Sequence, residues 1–259
     1  MEIGQPPMML SQENRKLNES QNLKINVSLN ELTIILKSVS ENTTIFSKNL
    51  KFPENSSTDV LLDKLKLCLE KLELRNVLRV KLVVNNDLSV LVPNNIYDND
   101  LKLNYLKFNS EVLENDKAEV DELIEIDAKN VYIPYANINN FLIDKFGSFE
   151  FYHYSTLLIQ NIFNKIECSD CIHYYANAQH NFLNIIIFKG KSLIYSNSFN
   201  YKTKEDLLYY ILFVSKQLKV VNSETQIVFV SNKKEALEEF NYLKKFVKNT
   251  IHFKESVDI

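Results

Sequence analysis

Glycine is nearly absent from this chain: Gly4, Gly147 and Gly190 are the only three in 259 residues, and tryptophan does not occur. A Walker loop or a dinucleotide fingerprint needs several glycines close together, so that backbone can approach phosphate with no Cβ in the way, and neither can be drawn here. Arginine is as scarce. Arg15, Arg75 and Arg79 stand alone among lysines, which lack the planar fork that grips phosphate or carboxylate bidentately. With 30 Lys plus Arg against 33 Asp plus Glu, the net charge of −3 carries no basic excess that points to DNA or RNA. Cys68, Cys168 and Cys171 are too few and too unevenly spaced for a disulfide framework, which fits a reducing compartment. No apolar run reaches the roughly 18 to 20 residues of a membrane-spanning helix. The opening MEIGQPPMMLSQENRKLNES has no basic segment leading into a long apolar one, so no secretory signal is expected and the expected location is the cytoplasm.

What remains is the make-up of a folded protein, 45% hydrophobic and 24% charged, with length for one large domain or two small ones. Residues 1–21 are polar, carry Pro6 and Pro7 and lack periodicity, so they read as a flexible tail. LKINVSL (23–29), ELTIILK (31–37) and TIFSKNLKF (44–52) then read as strands between polar turns. Ser56, Ser57 and Thr58 offer an N-cap to a helix with Leu61, Leu65, Cys68, Leu69 and Leu72 at helical spacing, and VLRVKLVV (77–84) returns as a strand.

The same order recurs in the second half. CIHYYAN (171–177), FLNIIIFK (182–189) and SLIYSNSF (192–199) are three strands, the last two joined through Gly190. Thr203 caps a helix with Asp206 at its third position, and Leu207, Leu208, Ile211, Leu212 and Leu218 are its expected buried face. QIVFVS (226–231), a helix in KKEALEEFNYLKKFVK and the segment IHF follow. Two passes of β-β-β-α-β argue for a duplicated α/β architecture of two lobes, with boundaries expected at 22–146 and 147–259.

That layout resembles the actin-like ATPase superfamily, whose lobes are ribonuclease H-like. The resemblance sharpens at LVPNNIYDNDLKLNYLKFN (91–109) and NVYIPYANINNFLIDKFGSFEFYHYSTLLIQNIF (130–163). These phrases are similar to an uncharacterised bacterial family of about this length with a degenerate actin-like fold, over most of residues 22–253. A more distant likeness is to PilM-type adaptors of pilus assembly. The family resemblance implies the fold and brings no established activity.

Active members of the superfamily hold nucleotide phosphates on two hairpins, in which Asp, Gly and a small hydroxyl residue let backbone N–H groups approach. The matching turns here, NVSLNE (26–31) and NAQHNF (177–182), contain neither Gly nor Asp. The expectation is that nucleotide chemistry has been lost, with no catalytic, cofactor-binding or metal-binding residue to name.

Other residue groups admit a sharper and a plainer reading. Cys168, Cys171 and His173 offer three zinc ligands where a structural site wants four, and no helix follows Cys168 to activate a redox thiol, so small turn residues are the plainer reading. Asp116, Glu119, Asp121, Glu122, Glu125 and Asp127 could chelate a cation but, alternating with Val120, Leu123 and Ile124, read better as a solvated edge. His153, His173 and His180 have no serine or cysteine in a recognised nucleophile context and read as satisfied polar residues near strands. FEFYHY (149–154) reads as a core strand rather than a base-stacking platform. Three functions stay open: a non-catalytic module binding a protein, a peptide or a second copy of the chain; a divergent ATPase or other enzyme; and a small-molecule sensor using a cleft between the lobes. The first is the expectation, with no nucleic-acid partner and no membrane insertion.

Overall fold

The structure is a computed structural model that describes residues 20–53, 56–108, 110–113, 115–179, 182–220, 225–231 and 236–253. The expected tail, apart from Ser20 and Gln21, lies outside the described residues, as do Gly4, Arg15 and His180. Two compact units are present, one running to Asn85 with Tyr135–Tyr152, the other made of Asn86–Pro134 and the chain from His153 onward.

The first unit is built on a five-stranded sheet of β1 (Gln21–Ser28), β2 (Glu31–Ser38), β3 (Thr44–Lys51), β4 (Val77–Val84) and β8 (Glu150–His153), in the order β3-β2-β1-β4-β8. Strict alternation drives it. In β2 every second residue, Leu32, Ile34, Leu36 and Ser38, is buried. Antiparallel pairing to β1 and parallel pairing of β1 to β4 align apolar rows across three strands: Leu36, Leu23 and Val80; Ile34, Ile25 and Leu82; Leu32, Val27 and Val84. Helix α1 (Thr58–Glu70) lays Leu61, Leu65, Cys68 and Leu69 on these rows, and α3 (Ala136–Phe146) adds Ile138 and Leu142. Each buried aliphatic side chain contributes about 1.5 to 3 kcal/mol relative to exposure. Ser57 sits at the N-cap of α1 as expected, but its side chain makes no capping hydrogen bond; Ser56 Oγ instead donates to Pro53 O (2.8 Å). Phe149, just before β8, and Phe151, within it, pack against this core, as a core strand requires.

The second unit repeats the arrangement with β9 (Ile172–Gln179), β10 (Phe182–Lys189), β11 (Ser192–Asn200), β12 (Ile227–Val230) and β13 (Thr250–Phe253), ordered β11-β10-β9-β12-β13. Strand β10 is buried from Leu183 to Phe188 because both of its faces are covered. Leu183, Ile185 and Ile187 share a core with Leu207, Leu208, Ile211 and Val214 of α5 (Lys204–Leu218) and Leu243 of α6 (Ala236–Phe246). On the other face Phe188 meets Phe163 of α4 (Tyr154–Lys165) edge-on, ring centroids 6.2 Å apart. The capping box at Thr203 and Asp206 forms with both hydrogen bonds in place. The buried face of α5 differs from expectation at two positions. Leu212 is 42% exposed because it lies about 100° round the helix from Ile211. Leu218, though in line with the stripe, is the helix's last residue and is 37% exposed; Val214 and Ser215 are buried instead.

A three-stranded antiparallel sheet completes the second unit: β5 (Ser89–Pro93), β7 (Ala128–Tyr132) and β6 (Glu119–Leu123), ordered β5-β7-β6, with the short α2 (Lys102–Lys107) placing Leu106 against Val92, Val131 and Ile133.

Candidate functional site

The two turns expected to mark a phosphate site come out differently. The β1–β2 connection is a two-residue turn, Leu29 and Asn30, between the paired Ser28 and Glu31, and the side chain it holds outward is the 40% exposed Leu29. At the β9–β10 connection His180 and Asn181 lie outside the described residues. Gly190 opens the two-residue β10–β11 turn with φ +53°, the position where a type II′ turn requires positive φ.

The polar interior of the second unit holds what the sequence did not disclose. Asp121, expected on a solvated edge, is 7% exposed. Its Oδ1 accepts from Tyr132 Oη (3.0 Å), and its Oδ2 accepts from His153 N (2.8 Å) and Thr156 Oγ1 (2.6 Å). The reason is position: alternation in β6 turns Asp121 and Leu123 inward and Glu122 outward, while Glu119, on the inward parity, is exposed at the strand's first residue. Burial pushes the Asp121 carboxyl upward against the pull of its hydrogen bonds. Glu125 and Asp127 are exposed as expected, and Glu122 pairs with Lys129 (2.6 Å).

His153 ends β8 and caps α4. Its Nε2 lies 3.2 Å from Asn86 O, which can only accept, so the ring proton sits on Nε2 and Nδ1 carries the lone pair. Nδ1 then accepts from Ser155 Oγ (2.7 Å) and Ser155 N (3.2 Å). Asn130 Nδ2 donates to Ser155 Oγ (3.1 Å) and Thr156 Oγ1 (2.9 Å), tying the histidine and the aspartate into one network. A serine therefore does partner His153, at a helix start rather than in a nucleophile motif, and the ring is a satisfied polar residue. The pair is a poor nucleophile and base all the same: burial lowers the His153 pKa to about 4, far below the value that suits proton abstraction near neutrality. The signal for this network was invisible locally, because His153 and Asp121 stand 32 residues apart.

Ser155 and Asn130 also line a cavity of about 540 Å³, together with Asp87, Glu111, Ser198 and Asn200. None of its lining residues is Lys, Arg or His. His173 is a satisfied residue, its Nε2 3.2 Å from Cys168 O. The free turn cysteines expected beside it are instead joined as a Cys168–Cys171 disulfide, Cα atoms 5.6 Å apart, because the loop brings residues three apart within bridging range. Among the described residues no cluster of three His, Cys, Asp or Glu is placed to hold a metal, and no helix is long and apolar enough to cross a membrane.

The buried imidazole predicts a pH effect. Below pH 6.5 His153 in the unfolded chain takes up a proton that the folded one refuses until about pH 4, so the unfolded state binds more protons in that window and stability from this group falls with acidification. The window corresponds to roughly 3 kcal/mol at 1.4 kcal/mol per unit. Asp121 opposes it at the acid end, since a raised folded pKa makes the native state protonate first. Denaturant titrations from pH 7 to 4 should show the wild type losing more stability than His153→Asn, which keeps an acceptor at the cap; equal slopes would contradict a neutral buried ring.

Comparison places this arrangement among known folds. A Bacteroides thetaiotaomicron protein with actin-like ATPase fold and unknown function superposes with TM-score 0.78 at 20% identity, over 92% of each chain. The PilM–PilN type IV pilus biogenesis complex contains a chain that superposes with TM-score 0.56 at 10% identity, over 92% of this chain and 88% of the other. No curated protein matches the sequence. The fold is the duplicated ribonuclease H-like fold of actin-like ATPases, as the repeated strand order anticipates. Residues 11–250 match the family described as protein of unknown function (DUF3822), and the chain belongs to that family.

Proposed function

We propose that this protein is a cytoplasmic, nucleotide-independent interaction module on a degenerate actin-like fold, binding a protein or peptide partner. The observation that carries the reading is the β1–β2 turn. Where an active relative presents bare backbone N–H groups to phosphate, Leu29 and Asn30 both carry side chains, with no aspartate or glycine beside them. The cavity of the second unit adds support, because carboxylates Asp87 and Glu111 line it with no cation to offset a phosphate. Partner binding draws support from PilM, a protein of this fold captured with PilN.

Millimolar ATP with magnesium is expected to leave the melting temperature unchanged. A ligand at 100 times its dissociation constant adds about 2.7 kcal/mol, a shift too large to miss, so an ATP-dependent rise refutes the nucleotide-independent part. Tagged protein should retain the same specific partner with and without ATP; a monomer that retains none refutes the interaction part.

A second reading, a small-molecule sensor, is favoured by one feature: Asn130 Oδ1 at the cavity wall is buried with no hydrogen-bond partner among the described residues. A stoichiometric small molecule retained in native mass spectrometry and lost in Asn130→Leu would favour it over the first.

A further inference from the structure

We propose that Cys168 and Cys171 form a reversible thiol–disulfide exchange site, reduced and reoxidised in the folded protein by a dithiol–disulfide partner. Three observations converge on the loop between α4 and β9. First, the bond is accessible: Cys171 is exposed and Cys168 half-buried, outside the apolar core, whereas Cys68 is buried and free. Second, the ring it closes spans a sequence separation of three, so the bond restricts the unfolded chain little and the fold does not depend on it. Third, the loop is held without it. Gly190 N donates to Cys171 O (2.9 Å), His173 Nε2 lies 3.2 Å from Cys168 O, and the Ser169 carbonyl sits against the face of Gly190 where a Cβ would fall 1.8 Å from its oxygen. With both cysteine backbones anchored, the reduced thiols stay within bridging range, and closure is intramolecular between held groups.

A thiolate of the partner dithiol attacks Sγ of Cys171, the more exposed residue of the two; the Cys168–Cys171 bond breaks, a mixed disulfide forms at Cys171, and Cys168 leaves as thiolate and takes a proton. The partner's second thiolate then attacks the partner sulfur of the mixed disulfide, releasing Cys171 as a thiolate that takes the second proton. Two electrons and two protons pass to this protein, and the partner leaves as a disulfide. No helix begins at Cys168, so the site responds to a partner's thiols rather than acting as the attacking oxidoreductase.

The test uses the full chain and dithiothreitol as the probe dithiol. Oxidised native protein should bind no maleimide; after dithiothreitol it should bind two, with the melting temperature kept within about 3 °C. Glutathione disulfide should then restore the unlabelled form. Buried Cys68 should label only in denaturant. To follow the mixed disulfide, Cys168→Ser should take up glutathione at Cys171 faster than Cys171→Ser does at Cys168. The proposal is overturned if labelling requires denaturant, if reduction unfolds the protein, or if the native thiols refuse to pair with an oxidant.

Discussion

Replacing Asp121 with alanine is expected to lower the unfolding free energy by roughly 4 kcal/mol and the melting temperature by roughly 10 °C. The carboxylate is the common acceptor for three buried donors, Tyr132 Oη, the His153 backbone N–H and Thr156 Oγ1. Alanine removes the acceptor, leaves a cavity too small to rehydrate all three, and strands each donor at a cost of about 1 to 3 kcal/mol, partly recovered by relaxation. Asp121→Asn, similar in size, keeps one acceptor oxygen and should lose about half as much. Glu122→Ala is the control from the adjacent position. Its carboxylate meets Lys129 at the surface, an ion pair of the kind solvent screens, so no measurable change in midpoint is expected. Urea titrations of the three variants decide it. An Asp121→Ala protein as stable as Glu122→Ala would mean that the network is not holding β6 to the start of α4.

The contrast between these neighbours shows where sequence reading stops. Strands at 77–84 and 182–189 were legible to the residue, because β-branched and apolar side chains in a short run, bounded by polar turns, leave few alternatives. Repetition of that pattern in both halves made the duplicated fold legible too, and both five-stranded sheets have it. Asp121 carried no such mark. In DELIEID it is one carboxylate among several, and its burial is decided by Tyr132, His153 and Thr156 arriving from other elements. His153 is legible as a satisfied residue, while its partner Ser155 is not, although it is only two residues away, because this serine belongs to a helix start and forms no nucleophile motif. Leu212 shows a subtler limit, since a leucine one step off the buried stripe looks identical in composition to one on it.

Glycine scarcity makes the remaining glycines informative, and Gly190→Ala is expected to destabilise by about 3 kcal/mol or more. Two costs combine. The residue has φ +53°, where an L side chain loses about 1 to 2 kcal/mol. A Cβ would also stand 1.8 Å from Ser169 O and 2.7 Å from Ser169 C, backbone atoms that cannot swing aside as a side chain would. The whole loop from Cys168 to Cys171 would have to withdraw, straining the Gly190 N–H bond to Cys171 O. Gly147 supplies the comparison. It closes a γ-turn after α3, with φ +79° and ψ −69° and Ser148 N donating to Phe146 O (3.0 Å), yet nothing lies within 4 Å of its missing Cβ. Gly147→Ala therefore carries only the backbone cost, on the order of 1 to 3 kcal/mol. The two mechanisms separate in a double-mutant cycle. In a Ser169→Gly background the loop backbone has more conformations through which to withdraw, so the cost of Gly190→Ala should shrink while that of Gly147→Ala stays the same. Unchanged costs at both positions would show that backbone conformation alone, and not the pressure of the Ser169 carbonyl, keeps glycine at the β10–β11 turn.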